Sequence, residues 1–288
     1  MLKRILTASV LIIIVFGFIL GLRQVHPAIL AGFIAALAVC GSYEMCDALK
    51  LAEYKAMKWV VIAAAFFSCV AAYLFAYIGL IISIVFFTIL ALSIFTFKHE
   101  YELKDIMATI FIYFYPIIPM ALLIVLNAFN NFGLGLYAIL LVVFIPVMTD
   151  TMAYFTGFLI GGKKLCPEIS PKKTIAGAIG GVIGGIIGAL LVFVLFDVTN
   201  LFASFRYVDE FYLTNELWKS ALIYIALGII AAPICEIGDL IASWIKRKAG
   251  IKDYGNIFPG HGGFMDRLDS VIVNIPIVLV FMEIITRI

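Results

Sequence analysis

Between Ser243 and Asp269 the chain gathers five cations (Lys246, Arg247, Lys248, Lys252, Arg267), three aspartates (Asp253, Asp266, Asp269) and His261, interleaved with glycines, within 27 residues. Yet the sequence as a whole is 65% hydrophobic and only 13% charged. Charge this dense cannot be satisfied by hydrocarbon; it needs water, a metal ion or a charged substrate. Carboxylates flanked by Lys and Arg suit Mg²⁺ that holds phosphate oxygens while the cations neutralise the remaining charge. The same chemistry extends upstream. Glu236, Asp239 and Ser243 stand at i, i+3 and i+7, so they share one helix face, and Lys246 and Arg247 follow one turn later. Pro259-Gly260-His261-Gly262-Gly263 is too flexible for a helix and lets backbone approach a ligand. Asp266 and Asp269, three apart, then open the last helix. His261 could be a base, a phosphate donor or a loop anchor, and its type alone does not choose between them.

Two further clusters carry polar groups into apolar surroundings. Asp150 and Tyr154 are four residues apart within a long hydrophobic segment, with Gly157 one turn on. An aspartate inside a span is costly unless paired, solvated or metal-bound, so a functional role outweighs a purely structural hydrogen bond. Ser170-Pro171-Lys172-Lys173-Thr174 precedes a glycine-rich helix. Ser170 or Thr174 can cap that helix, and its positive end with two lysines makes an anion site, although lysines are ordinary in a cytoplasmic loop.

These clusters must be held by membrane helices. A soluble domain carries about 25% charged residues, and the mean hydropathy here is +1.16. The fold expected is an all-α integral membrane protein, a polytopic bundle of about nine transmembrane helices, since each span needs about 20 apolar residues. The segments are roughly 5–22, 27–46, 58–77, 79–97, 106–128, 133–160, 175–196, 219–243 and 270–286. Residues 1–130 form N-terminal transmembrane helices and 131–288 a catalytic region, within one integrated membrane domain. The first segment, long and without a small-residue cleavage site, reads as a retained helix and not a signal peptide. Alternating sides from the N-terminus puts 16 of the 20 Lys and Arg residues on one face, which predicts a cytoplasmic N-terminus and a cytoplasmic Ser243–Asp269 stretch.

The remaining features read more plainly. Glu44, Asp47, Glu53 and Lys55 are expected at the membrane interface, and the acidic segment 198–217 as a solvated connector. Pro116 and Pro119 should kink the fifth span. Glycines spaced by four along residues 177–188 form two stripes that admit close helix neighbours on two faces. The five cysteines have no paired spacing, so they read as small buried hydrophobes and not as zinc ligands. A net charge of +2 gives no case for a nucleic-acid partner.

The stretch resembles the signature of phosphatidate cytidylyltransferases (CDP-diacylglycerol synthases). That pattern is a serine, then K-R, then K-D, a small residue, and P-x-H-G-G-x-x-D-R-x-D. It falls on Ser243, Lys246-Arg247, Lys252-Asp253, Gly255, Pro259, His261-Gly262-Gly263, Asp266-Arg267 and Asp269. Upstream, Asp150 with Ala153-Tyr154, Ser170 to Thr174, and Gly238 to Leu240 are similar to the family in the same order. One departure is Ala176, where the resemblance leads one to expect a glutamate.

The resemblance implies the reaction CTP + phosphatidate → CDP-diacylglycerol + diphosphate, in a multi-pass protein of the bacterial cell (inner) membrane that is a homodimer. It implies Mg²⁺, with a second metal ion or K⁺ also open, held by Asp239, Asp266 and Asp269. Catalytic roles fall on those aspartates with Lys246, Arg247 and His261. Substrate binding falls on Asp150, Tyr154, Ser170, Lys172, Lys173, Thr174, Ser243, Lys252, Asp253 and Arg267. Two other readings stand beside it: a transporter of lipid phosphates, which predicts a midplane site between broken helices, and a related membrane enzyme such as a polyprenol kinase.

Overall fold

The computed structural model describes residues 9–10, 12–97, 100–130, 133–205, 213–214, 216–258 and 262–287. His261, with Pro259 and Gly260, lies outside the described residues, as do Lys3, Arg4, Lys98, Arg206, Asp209 and Glu210.

The protein is an all-α polytopic membrane protein. Among the described residues seven helices are long and apolar enough to cross a membrane, and a shorter apolar helix precedes them. They are α1 (Ile12–Val25, the short one), α2 (Pro27–Leu51), α3 (Lys58–Phe97), α4 (Leu103–Asn127), α5 (Gly135–Ile160), α6 (Ile175–Val198), α7 (Leu217–Lys248) and α8 (Met265–Ile285). Between α5 and α6 lies an antiparallel hairpin of β1 (Lys164–Cys166) and β2 (Ser170–Thr174). That pairing was not expected from a run rich in lysine and proline.

Helix α3, at 40 residues, is not one straight rod. Straight, it would be about 60 Å long, twice the hydrocarbon thickness of a bilayer. Ala76 breaks it with φ 48° and ψ −127°. A Cβ on Gly79 would collide with the Ala71 carbonyl, so the chain folds back on itself there. The break thus falls beside the Tyr77-Ile78-Gly79 boundary predicted between two spans. In α4 the turn Tyr113–Ile117, which contains Pro116, is π-helical, the local adjustment that a proline without a backbone donor invites.

The chain sorts into two compact units, one of Met1–Val125 with Ile245–Leu268, the other of Leu126–Trp244 with Asp269–Ile288. In the first, polar side chains satisfy the ends and interiors of apolar helices. Asp105 Oδ1 accepts the Lys55 amide at 2.6 Å and Thr109 Oγ1 accepts the Met57 amide at 2.9 Å, which fixes the α2–α3 connection against α4. Ser68, Ser83 and Tyr113 share hydrogen bonds of 3.0–3.1 Å inside the helices. Asp47 pairs with Lys58 at 2.8 Å and stays half exposed, as an interfacial charge should. Glu44 does not: it is 5% exposed, and its place corrects the interfacial expectation.

In the second unit the glycines of α6 dictate the packing. A Cβ at Gly184 or Gly188 would strike the Met148 or Phe144 carbonyl of α5, and one at Gly180 would strike Thr156. Gly181 and Gly185 face Glu236 and Ala232 of α7 instead. The two stripes therefore admit two different neighbours, as their spacing predicts. Asn274 Nδ2 of α8 donates to the Leu141 and Val142 carbonyls of α5 at 3.3 and 3.2 Å. At the other end of α6, Asp197 is buried and accepts from Tyr224 Oη at 2.5 Å.

Candidate active site

A cavity of about 540 Å³ in the second unit collects residues from four elements. The last turns of α5 supply Asp150, Tyr154, Gly157 and Phe158, and the hairpin supplies Lys164, Ser170, Lys172 and Lys173. The start of α6 adds Thr174 and Gly177, and α7 adds Glu236 and Asp239. Its size suits a small-molecule ligand. Two sequence clusters 20 residues apart thus line one cavity together with Asp239.

Local structure explains how they meet. Gly161 and Gly162 have φ of 65° and 91°, which lets the chain leave α5 in a sharp turn that a side chain would strain. The hairpin pairs Lys164 with Thr174 and Cys166 with Ser170. Thr174 is the N-cap of α6, its Oγ1 accepting the Gly177 amide at 3.0 Å, so of the two predicted caps it is Thr174 and not Ser170. The positive N-terminal end of α6 then stands beside Lys172 and Lys173, a local arrangement that favours anions.

Lys173 Nζ sits 2.7 Å from Asp239 Oδ2 and 3.4 Å from the Glu236 carbonyl. Ser243 Oγ donates to Asp239 Oδ1 at 3.4 Å, which bears out their shared helix face. Asp150 Oδ2 accepts from Ser270 Oγ at 3.1 Å, and Asp269 Oδ1 accepts the Ser270 amide at 2.9 Å. Ser270, which the sequence reading passed over, therefore ties Asp150 to the residue beside it, Asp269. Glu236 is buried at 7% exposure, and its Oε1 has no hydrogen-bond partner among the described residues. The spacing had put it on the Asp239 face without giving it a role; only Gly181, lacking a side chain, leaves room for its carboxylate.

The first unit holds the rest of the signature. Asp266 Oδ1 pairs with Lys246 Nζ at 2.8 Å, while Oδ2 accepts the Tyr254 and Gly263 amides at 2.7 and 2.9 Å. A carboxylate has about four acceptor positions, so three are taken. Gly262, at φ 85°, makes the turn that brings these amides round, and Phe258 pairs with it across an isolated bridge. Arg247, Lys252, Asp253 and Arg267 are exposed.

Whether these residues fit Mg²⁺ can be judged from the donor set. Among the described residues no three His, Cys, Asp or Glu side chains are grouped as a metal's ligands. Mg²⁺ in phosphate-binding sites needs only one or two carboxylates, the phosphates and water supplying the rest. Asp239, partly exposed in the cavity near the buried Glu236 carboxylate, fits that requirement.

The sequence profile described as "Cytidylyltransferase family" matches residues 2–285. The chain belongs to the cytidylyltransferase family. It is 35% identical over 162 residues to the phosphatidate cytidylyltransferase of Rickettsia bellii (strain RML369-C), a match covering 56% of the chain and 62% of that relative. It is 34% identical over 160 residues to the enzyme of the same name from Rickettsia typhi (strain ATCC VR-144 / Wilmington), covering 56% and 63%. It is 36% identical over 148 residues to that from Staphylococcus haemolyticus (strain JCSC1435), covering 51% and 50%. The chain thus spans between half and two thirds of the length of these curated relatives.

Proposed function

We propose that this cytidylyltransferase makes CDP-diacylglycerol from CTP and phosphatidate, releasing diphosphate. The observation that carries the reading is the cavity that brings Lys172, Lys173, the capped start of α6, Asp150 and Asp239 together. Its lining comes from the C-terminal half of α5, the hairpin, the first turn of α6 and the C-terminal half of α7. Such a lining suits a site near helix ends at the headgroup level, and it gives no support to a transporter's midplane site.

An oxygen of the phosphatidate phosphate forms a bond to the α-phosphorus of CTP, and the bond from that phosphorus to the bridging oxygen breaks. The electron pair leaves with diphosphate. The nucleophile is already an anion near neutral pH, so no general base is required and catalysis is positioning with charge neutralisation. Lys172 and Lys173 bind phosphate oxygens beside the α6 amides, and Lys173 is fixed for this by Asp239. Asp239, with Asp269 of the same unit, is the carboxylate proposed to hold Mg²⁺, which neutralises charge on the phosphates when bound. Asp266 offers at most one further acceptor position, and orders its own loop. Arg247, Lys252 and Arg267 are proposed phosphate-binding cations, and Lys246 acts through Asp266. Tyr154 and Phe158, stacked at 6.3 Å and exposed, line the cavity, and the exposed Phe155, Leu159 and Ile160 follow on the same helix. An apolar rim of this kind supports a side opening for acyl chains. A cytoplasmic N-terminus, a place in the bacterial inner membrane and a homodimer belong to the same proposal.

The test is purified protein in lipid nanodiscs given labelled CTP, phosphatidate and Mg²⁺, with CDP-diacylglycerol and diphosphate both measured. Equal formation of the two products is expected. No CDP-diacylglycerol at any phosphatidate chain length, or turnover with another lipid or nucleotide alone, would refute the assignment.

A further inference from the structure

Glu44 lies on α2, more than 200 positions before the signature loop, yet its carboxylate is built into that loop. Glu44 Oε2 accepts the Met265 amide at 3.0 Å, at the start of α8. A Cβ on Gly255 or on Gly263 would collide with the same carboxylate, so both glycines leave the space it fills. Gly41, one turn earlier on α2, is as close to Met265: a Cβ there would lie 3.2 Å from its Sδ. Glu44 is 5% exposed and Met45 beside it is fully buried. A buried carboxylate is costly unless its hydrogen bonds are worth making, so the cost must be offset by what it holds.

What it holds is the frame of Asp266. The Gly263 amide and the Tyr254 amide both donate to Asp266 Oδ2, and Gly255 and Gly263 are the residues packed on Glu44. We infer that Glu44 is a positioning residue: it clamps Gly255, Gly263 and Met265 so that Asp266 and Lys246 keep the orientation the reaction needs. The catalytic consequence rests on the function proposed above; the clamp itself does not.

Two measurements separate them. The first is hydrogen–deuterium exchange of the full chain in detergent, which needs no activity. Glu44→Ala is expected to raise exchange of the 254–265 amides tenfold or more and to leave residues 135–160 unchanged. Glu44→Gln, which keeps one carbonyl acceptor for the Met265 amide, should fall between. The second is kinetics of CDP-diacylglycerol formation. Glu44→Ala should lower kcat at least tenfold with KM for CTP changed less than threefold, Glu44→Gln should recover part of it, and the nearby Asp47→Asn should match wild type. Gly263→Ala should show a similar defect, since its methyl group displaces the carboxylate. The double variant Glu44→Ala with Gly263→Ala should then be less impaired than the two single effects multiplied. Unchanged exchange in 254–265, exchange raised equally in both regions, or multiplicative defects in the double variant would each overturn the clamp. A wild-type protein that makes no CDP-diacylglycerol would instead refute the function and leave the exchange result to decide the clamp.

Discussion

Lys173 Nζ lies 2.7 Å from Asp239 Oδ2 and links the hairpin strand β2 to helix α7 across the cavity. The side chains are 21% and 28% exposed, so this is a partly solvated pair whose contribution to stability is about 1 kcal/mol or less. Its value is positional. Asp239→Asn should therefore reduce turnover about 100-fold or more, because it removes both the carboxylate proposed to hold Mg²⁺ and the anchor of Lys173. The thermal unfolding midpoint should move little. Steady-state kinetics across a Mg²⁺ series, with unfolding followed by tryptophan fluorescence, checks both halves. Near-wild-type Mg²⁺-dependent turnover in folded Asp239→Asn would refute the metal assignment.

Thr174 joins stability to substrate binding. Its hydroxyl caps α6 through the Gly177 amide at 3.0 Å and lies where a Cβ on Gly157 of α5 would crowd it. Loss of an N-cap costs about 1 kcal/mol. Thr174→Ala should lower the unfolding midpoint by a few degrees and raise KM for CTP several-fold, since Lys172 and Lys173 immediately precede the cap. Thr174→Ser keeps the oxygen and should restore both. Equal KM in the alanine and serine variants would separate the cap from the anion site.

The parts of this site readable in the sequence are those with short-range spacing. Asp150 and Tyr154 share a face because they are four apart, and Asp239 and Ser243 bond for the same reason. The glycine stripes of α6 forecast two close neighbours because a missing side chain has one packing consequence. What stayed hidden depends on distant partners. Glu44 sits seven residues before the end of α2, where a charge ordinarily reaches water; the amide of Met265, 221 positions away, and the room left by Gly255 and Gly263 explain its burial. Ser270 has no distinguishing spacing until Asp150 is seen opposite it. The β hairpin escaped because its pairing is set by the exit from α5 and the cap of α6, not by strand propensity.

Glycine substitutions test the packing directly. At Gly181 an added methyl group would overlap Glu236 Oε1. Overpacking of this kind costs roughly 1–3 kcal/mol, and here it also displaces a cavity-lining residue. Gly181→Ala should lower both the unfolding midpoint and turnover. Gly32, in α2, has nothing within 4 Å of the same methyl position. Gly32→Ala should match wild type in both measurements or be slightly more stable, by about 0.5–1 kcal/mol from helix preference. If the two variants behaved alike, the close contact of α6 with α7 would be wrong.

The second lysine–aspartate pair should respond differently from the first. Lys246 and Asp266, 2.8 Å apart, are only 13% and 4% exposed. Removing one partner of a buried pair strands the other charge, at a cost of about 3–5 kcal/mol. Two backbone amides still reach Asp266 Oδ2, which places Lys246→Met toward the lower end of that range. Its unfolding midpoint should drop by roughly 5 °C or more, clearly beyond that of Lys173→Met. Asp266→Asn tests the same frame from the other side. An amide oxygen can accept from the Tyr254 and Gly263 amides, but its nitrogen then faces Lys246 with no lone pair to offer. The asparagine variant should thus lose stability comparably to Lys246→Met, and the double variant Lys246→Met with Asp266→Asn should recover part of the loss. Additive losses in the double variant would mean that the pair is not coupled and that Asp266 is held by its amides alone.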